Sequence, residues 1–419
     1  MIRHRSQFLV SVLLLAVFIL SACGGSAAMP TSPPVPTQTL LPPTETSTPA
    51  PTATIAPTST PDRLPQCKFP VNGSYNGAQY GFPKPSFKMR SVGDVKTVIL
   101  FADFADAPAT QTPEEMFSML SPNAENFLNT ISYGKLNWTL EPHLVWLRLS
   151  KPSSYYGTLM RSFEGHKKYI QEAVDLADAD VDFSTADAVA VIVPIEAKKI
   201  PYGPAFAAAE GDGYQADGKT FDVGMTSGAD FGEEYRRHYW LLNYTGYGMG
   251  LPLLISYTPD PGGVYGYFGF AGGFSLMGGT GWGPEFFAFE RWQLGWLEDA
   301  QIFCLPDGEQ TMMLTPVEVA GGTKAIVVPV SPNKLLVVES RHALGFDTKL
   351  PKEGALVYTV DNSVPIGSGP LMIYPSLQKD RNRYDSILAV GESTTVEGVT
   401  VTVMESTDEG DTVKVTVTK

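Results

Sequence analysis

Four histidines lie beyond residue 23: His143, His166, His238 and His342. The hydrolytic zinc motif HExxH needs two imidazoles four residues apart, so that both point from one helix face, with a glutamate between them as general base. No two of these histidines have that spacing. A Gly-x-Ser-x-Gly nucleophile turn is absent, as is a glycine-rich phosphate loop ending in Lys-Ser/Thr. The cysteines, Cys23, Cys67 and Cys304, are not placed as nucleophiles. What stands out instead is residues 239–297, a stretch very rich in glycine and aromatics.

The elements around that stretch read as an α+β fold. Val98–Phe104 is a short apolar run after Lys96 and predicts a buried strand. Thr112-Pro113-Glu114-Glu115 predicts a helix start, with Thr112 as N-cap, Pro113 in the first position and acids in the first turn. Asn126–Thr130 continues a helical pattern, and Leu136–Leu140 alternates as a strand after the Gly134-Lys135 break. Met160–Ala177 predicts a helix with Tyr169, Ala173, Leu176 and Ala177 on one face, and Ala188–Val193 a further strand. Beyond about residue 302 the pattern shifts to short strands: Lys324–Val330, Leu335–Glu339, Ala355–Val360, Val399–Val403 and Thr412–Val417. That spacing predicts a β-sandwich-like region.

Several segments together carry a family resemblance. Gly246-Tyr247-Gly248-Met249-Gly250-Leu251-Pro252 resembles the end of the HEFGHxLGLPD signature of the M6 peptidases, the zinc metallopeptidase family of immune inhibitor A. Leu100–Phe104 resembles that family's first strand, Ser132-Tyr133-Gly134-Lys135-Leu136 its SYGKL element and Tyr155-Tyr156-Gly157 its YYG. Phe274–Gly279 resembles its WDLMSGG, in which the methionine turn lies beneath the zinc, and Arg291–Leu297 its K..LGW. Val338–Arg341 and Gly354–Asp361 are similar to its E.R and GvlvyhvD. The segments occur in the family's order and span most of residues 95–365. The resemblance implies a zincin-like metalloprotease domain with zinc as cofactor.

Residue by residue, the chemistry of that family does not carry over. With Gly250-Leu251-Pro252 as anchor, the first zinc histidine falls on Asn243, the general-base glutamate on Tyr244 and the second histidine on Tyr247. The third ligand falls on Leu253. An amide oxygen is a weak neutral donor, a phenol must lose a proton from a pKa near 10 to ligate, and leucine offers nothing. Without zinc, water keeps a pKa of about 15.7 rather than about 7. Neither His238 nor Glu233-Glu234 restores the spacing. No catalytic residue, no metal ligand and no cofactor is therefore expected. A candidate cleft is formed by Tyr244, Tyr247, Tyr257 and Met277, since tyrosines give rigid amphipathic contact area. The same residues suit core packing around a vacant metal site, with Met277 filling a gap.

The N-terminus predicts the compartment. Arg3, His4 and Arg5 precede an apolar run from Phe8 to Leu20, and Leu20-Ser21-Ala22-Cys23 resembles a bacterial lipobox. A run this short is a signal peptide and not a spanning helix, which needs roughly 20 apolar residues. Cleavage after residue 22 and lipidation of Cys23 would anchor the chain to a membrane on the extracytoplasmic side. Residues 24–65 contain eleven prolines and ten threonines. Such a segment buries too little apolar surface to fold and favours extended polyproline II. The expected organisation is thus a signal peptide (1–22), a Pro/Thr-rich linker (23–65), an α+β peptidase-like domain (66–303) and a C-terminal β domain (304–419). With Cys23 lipidated, Cys67 and Cys304 remain for a disulfide in an oxidising compartment, or as two buried thiols.

Without Arg3 and Arg5 the chain carries 28 basic against 44 acidic residues. That balance repels nucleic acid and anionic headgroups, so no nucleic-acid partner is expected. Three functions then compete. The leading one is a pseudoprotease holding a peptide or protein ligand without cutting it. The second is an active metallopeptidase with non-standard ligands, and the third a glycan-binding or scaffold surface protein.

Overall fold

The computed structural model describes residues 63–72, 78–86, 88–233, 237–261, 263, 266, 268–278, 284–375 and 383–418. The expected signal peptide, Cys23 and almost all of the Pro/Thr-rich linker lie outside these residues. Among them no helix is long and apolar enough to cross a membrane.

The protein is a mixed α/β structure with several sheets. The first sheet is built around β1 (Gly93–Asp103), flanked by β2 (Leu136–Arg148) and β3 (Ala188–Ile192). Then come β7 (Val223–Thr226) and the edge strand β4 (Ala205–Ala207). The first four run parallel and β4 antiparallel. A small hairpin, β5 (Tyr214–Ala216) and β6 (Lys219–Phe221), lies between β4 and β7 in sequence.

The apolar run of β1 does not alternate because both faces of the sheet are covered. Val98, Leu100 and Ala102 share a core with helix α4 (Phe163–Ala177), whose buried face is Tyr169, Ile170, Ala173, Val174 and Ala177. Ile99 and Phe101 face the opposite core, with helix α2 (Asn123–Ile131). Each buried Val, Leu, Ile or Phe among them contributes about 1.5–3 kcal/mol on burial. Helix α1 (Pro113–Ser118) starts at the expected N-cap, which the structure completes as a capping box: the Thr112 hydroxyl accepts from Glu115 N, and Glu115 accepts from Thr112 N.

The helix expected over Met160–Ala177 is α4, which starts three residues later, at Phe163, and a separate short helix precedes it. Helix α3 (Ser153–Leu159) ends first, and Ser162 then caps α4 by accepting from Gly165 N at 3.2 Å. A Cβ on Gly165 would lie 1.8 Å from the Leu159 carbonyl oxygen, so only glycine lets the helix ends approach this closely. Leu176, expected on the apolar face, is 47% exposed. Successive residues rotate by about 100°, and the stripe formed by residues 169, 170, 173, 174 and 177 leaves position 176 outside it.

The C-terminal strands form two sheets. One is ordered β13 (Leu371–Tyr374), β12 (Gly354–Asp361), β11 (Lys334–Arg341), β10 (Ala325–Ser331), β8 (Ile302–Cys304). The other is ordered β14 (Ser393–Val396), β15 (Val399–Thr407), β16 (Gly410–Val417), β9 (Gly308–Leu314). Leu336 and Val338 on β11 meet Val401, Val413 and Val415 between the two sheets. Their neighbours Leu335 and Val337 point the other way, into a core that includes Phe101, Leu241 and Phe289. That apolar cluster runs from Cys67 to Ile387, across the point where the sequence pattern changes.

Cys67 and Cys304 form a disulfide, their Cα atoms 5.9 Å apart across a separation of 237 residues. Closing so long a loop restricts the unfolded chain by about 5 kcal/mol in the chain-entropy treatment. It pins the segment from residue 63 onward beside β8, and that segment then crosses helix α6 (Ala288–Gln293). There Tyr80 and Phe82 pack edge-on against Phe289.

Candidate functional site

Asn243, Tyr244 and Tyr247 all lie on helix α5 (Arg237–Gly248), which packs against the first sheet's β7 and β4 and against α2. The helix stops at the glycine-rich turn for a local reason. Gly250, at φ +106°, donates to Tyr247 O at 2.9 Å, and Leu251 N donates to Gly246 O at 3.0 Å. This pair of bonds satisfies the last carbonyls in a Schellman arrangement, and Pro252 prevents the helix from resuming. The Gly-Leu-Pro triplet is thus accounted for by helix termination alone.

Asn243 is buried, and its Nδ2 donates to Leu276 O at 2.8 Å. Tyr244 is half-buried, stacks edge-on against Trp240 and donates its hydroxyl to Gly203 O. Gly203 lies two residues before the edge strand β4, so this bond ties the helix to the rim of the sheet. Tyr247 and Leu253 are half-buried against the same core. Met277 is fully buried, and a Cβ on Gly246 would meet its Sδ at 2.5 Å. The methionine therefore fills the space beneath α5 and offers no surface to a ligand. Tyr257 differs from the rest. It is 60% exposed, and its backbone N–H donates to Gly367 O in the loop between β12 and β13.

This donor set does not fit a zinc ion. The amide of Asn243 is turned to a backbone carbonyl, the Tyr244 phenol keeps its proton to donate, and Leu253 has no donor atom. Among the described residues, no group of three His, Cys, Asp or Glu side chains is close enough to hold a metal.

The histidines are scattered. His143 sits on β2. His166 is buried on α4 against Phe206, and burial pulls its pKa down to about 4 despite a bond to the Pro204 carbonyl. His238 begins α5, its pKa also lowered by burial. His342 lies 3.2 Å from Asp411. Burial lowers its pKa, but the Asp411 carboxylate more than offsets this and leaves the value raised.

The sequence analysis missed a buried network of charges. Arg291, with no exposed surface, pairs with Glu285 and donates to Phe286 O, Ile131 O and Val317 O at 3.1, 3.0 and 2.8 Å. Arg341, equally buried, donates to Glu339 at 2.7 Å and Phe274 O at 2.8 Å and pairs with Asp347. Glu339 also accepts from Ala288 N and the Tyr358 hydroxyl, both at 2.7 Å. Glu290 accepts from Tyr80, Ser275 and Phe287 N at 3.0, 2.7 and 3.0 Å. Burial raises its pKa to about 7, outweighing those bonds and the nearby Arg341.

Every one of these carboxylates and guanidiniums is within the fold and out of reach of a substrate. Their work is positional: they join the methionine turn, α6, β11 and β12. The available signal was the charged residues inside apolar segments, Glu290-Arg291 and Glu339-x-Arg341, since unpaired charges are almost never buried.

No family model matches this chain, and a search of curated proteins finds no match either.

Proposed function

We propose that the protein is a lipid-anchored, extracytoplasmic pseudoprotease, with a zincin-like fold that holds a peptide or protein segment without hydrolysing it. The observation that carries this reading is at α5. The two positions where the immune inhibitor A resemblance puts a zinc ligand and the general base hold Asn243 and Tyr244, both engaged in internal hydrogen bonds. Neither a metal-bound hydroxide nor a base to make one is available there. Support for the fold comes from a mainly parallel sheet with an antiparallel edge strand, a helix packed beneath it and a buried methionine under the helix turn. The exposed Tyr257 ring and the edge strand β4 suit contact with an extended peptide. Support for the anchor comes from Leu20-Ser21-Ala22-Cys23 following a basic and then an apolar stretch.

The test is zinc content by elemental mass spectrometry on the full chain, purified without chelators, alongside casein cleavage and binding of casein-derived peptides. The expected result is far less than one equivalent of zinc, no cleavage, and retained peptide binding. One equivalent of zinc with cleavage would overturn the reading.

A further inference from the structure

His166 joins helix α4 to the antiparallel edge of the first sheet. Its ring lies against Phe206 on β4, the centroids 5.0 Å apart, and a Cβ on Gly224 of β7 would lie 3.3 Å from its Cε1. The residue is 2% exposed. One ring nitrogen bonds to the Pro204 carbonyl just ahead of β4, while Nε2 is buried and has no hydrogen-bond partner. The bonded nitrogen is therefore Nδ1. Since a carbonyl only accepts, Nδ1 carries the proton of the neutral ring.

Gly203 and Pro204 are thus held from both faces of the sheet. Tyr244 on α5 donates to Gly203 O, and His166 on α4 bonds to Pro204 O. Beyond them β4 has only three residues and one partner strand, β7. Thr226 N donates to Pro204 O at 3.1 Å at one end of that pairing, and Ala208 N to Asp222 O at 2.6 Å at the other. So short an edge opens at lower cost than the interior strands.

A second proton on the ring goes to Nε2, and the groups around it are engaged elsewhere. Lys167, Tyr214 and Asp222 are the titratable residues lining the space beside the ring. Lys167 donates to Asp212 O at 2.7 Å, and its charge repels another cation. Tyr214 accepts from Val189 N at 3.0 Å and donates to Val223 O. The two oxygens of Asp222 accept from Gly211 N and Gly213 N at 3.1 and 3.0 Å. An imidazolium enclosed here is an unpaired buried charge, and turning it out to water breaks the bond to Pro204. The folded ring takes its second proton only near pH 4, whereas a solvated one takes it near 6.5. The hold on β4 is therefore complete above pH 6.5 and is lost as pH falls towards 4.

We infer that His166 is an acid-sensitive latch on the sheet edge: the neutral ring holds β4 to α4, and protonation of Nε2 releases the strand.

The test is hydrogen exchange read by mass spectrometry on the full chain in detergent, at pH 7.5 and 5.0, with intrinsic exchange rates divided out. The reporters are the Ala208 and Thr226 amides, and peptides from β15 and β16 are the reference. From the higher to the lower pH the opening constant of the reporters should rise about 30-fold, and that of the reference by less than about threefold. His166→Asn keeps a donor near the Nδ1 position and does not titrate, so the reporter rise should drop below about threefold. His238→Gln removes the other histidine that burial holds neutral and should leave the rise in place. In the unaltered protein, a reporter rise below about threefold, or an equal rise in the reference, would overturn the inference even if a variant folds poorly. Persistence of the rise in His166→Asn, or its loss in His238→Gln, would do the same.

Discussion

Polar side chains are buried both on helix α5 and around Arg291 and Arg341, but on different terms. On α5 the polar groups of Asn243 and Tyr244 are neutral, and their bonds to backbone carbonyls are each worth about 1 kcal/mol net. Around the arginines the groups are charged and multiply bonded, and removing one partner strands the others in a low-dielectric interior. The segments that join the sheets keep a full set of charged partners, while Asn243 and Tyr244 on α5 bind backbone carbonyls as neutral groups.

This contrast predicts unequal consequences of substitution. Arg341→Ala leaves Glu339 and Asp347 buried without their cation and is expected to destabilise the protein by about 3–5 kcal/mol in denaturant unfolding. A loss below about 1 kcal/mol would mean the network is solvated and the contrast false.

Glu290 gives a pH test of nearly the same size. Its folded pKa, raised to about 7, exceeds the unfolded value of about 4.3, so its favourable contribution is present below pH 4.3 and is lost as pH rises through 7. The difference in unfolding free energy between wild type and Glu290→Gln should therefore shift by about 3 kcal/mol in favour of the variant between pH 4.5 and 8. A flat difference across that range would place the carboxyl in water.

The smallest effect belongs to α5. Tyr244→Phe removes one neutral bond to Gly203 and should cost about 1 kcal/mol in the same assay, with zinc content unchanged. A loss of several kcal/mol would erase the distinction between the two regions.

Local features were legible where they depend on neighbours in sequence. The Thr112 N-cap, the β1 run and the strands from Ala325 onward follow from spacing alone. The later start of α4, at Phe163 and not Met160, was missed because it turns on the Ser162 cap and one glycine contact at Leu159, which periodicity does not register. At the candidate site, the identities of Asn243, Tyr244, Tyr247 and Leu253 already excluded a zinc motif. Which of the proposed cleft residues face solvent was not legible: Tyr257 does and Met277 does not.

Composition and residue type by themselves determined the side-chain chemistry on offer, the α+β succession of elements and the two cysteines, Cys67 and Cys304, available to pair beyond the Pro/Thr-rich stretch. Tertiary structure decided the rest. It brought Cys67 within 5.9 Å of Cys304 and gathered Glu285, Arg291, Glu339 and Arg341 into the interior. The physical reason is range. Caps, turns and strand runs are set by contacts a few residues apart, whereas charge pairing, burial and cavities depend on which distant segments meet, and no local pattern records that.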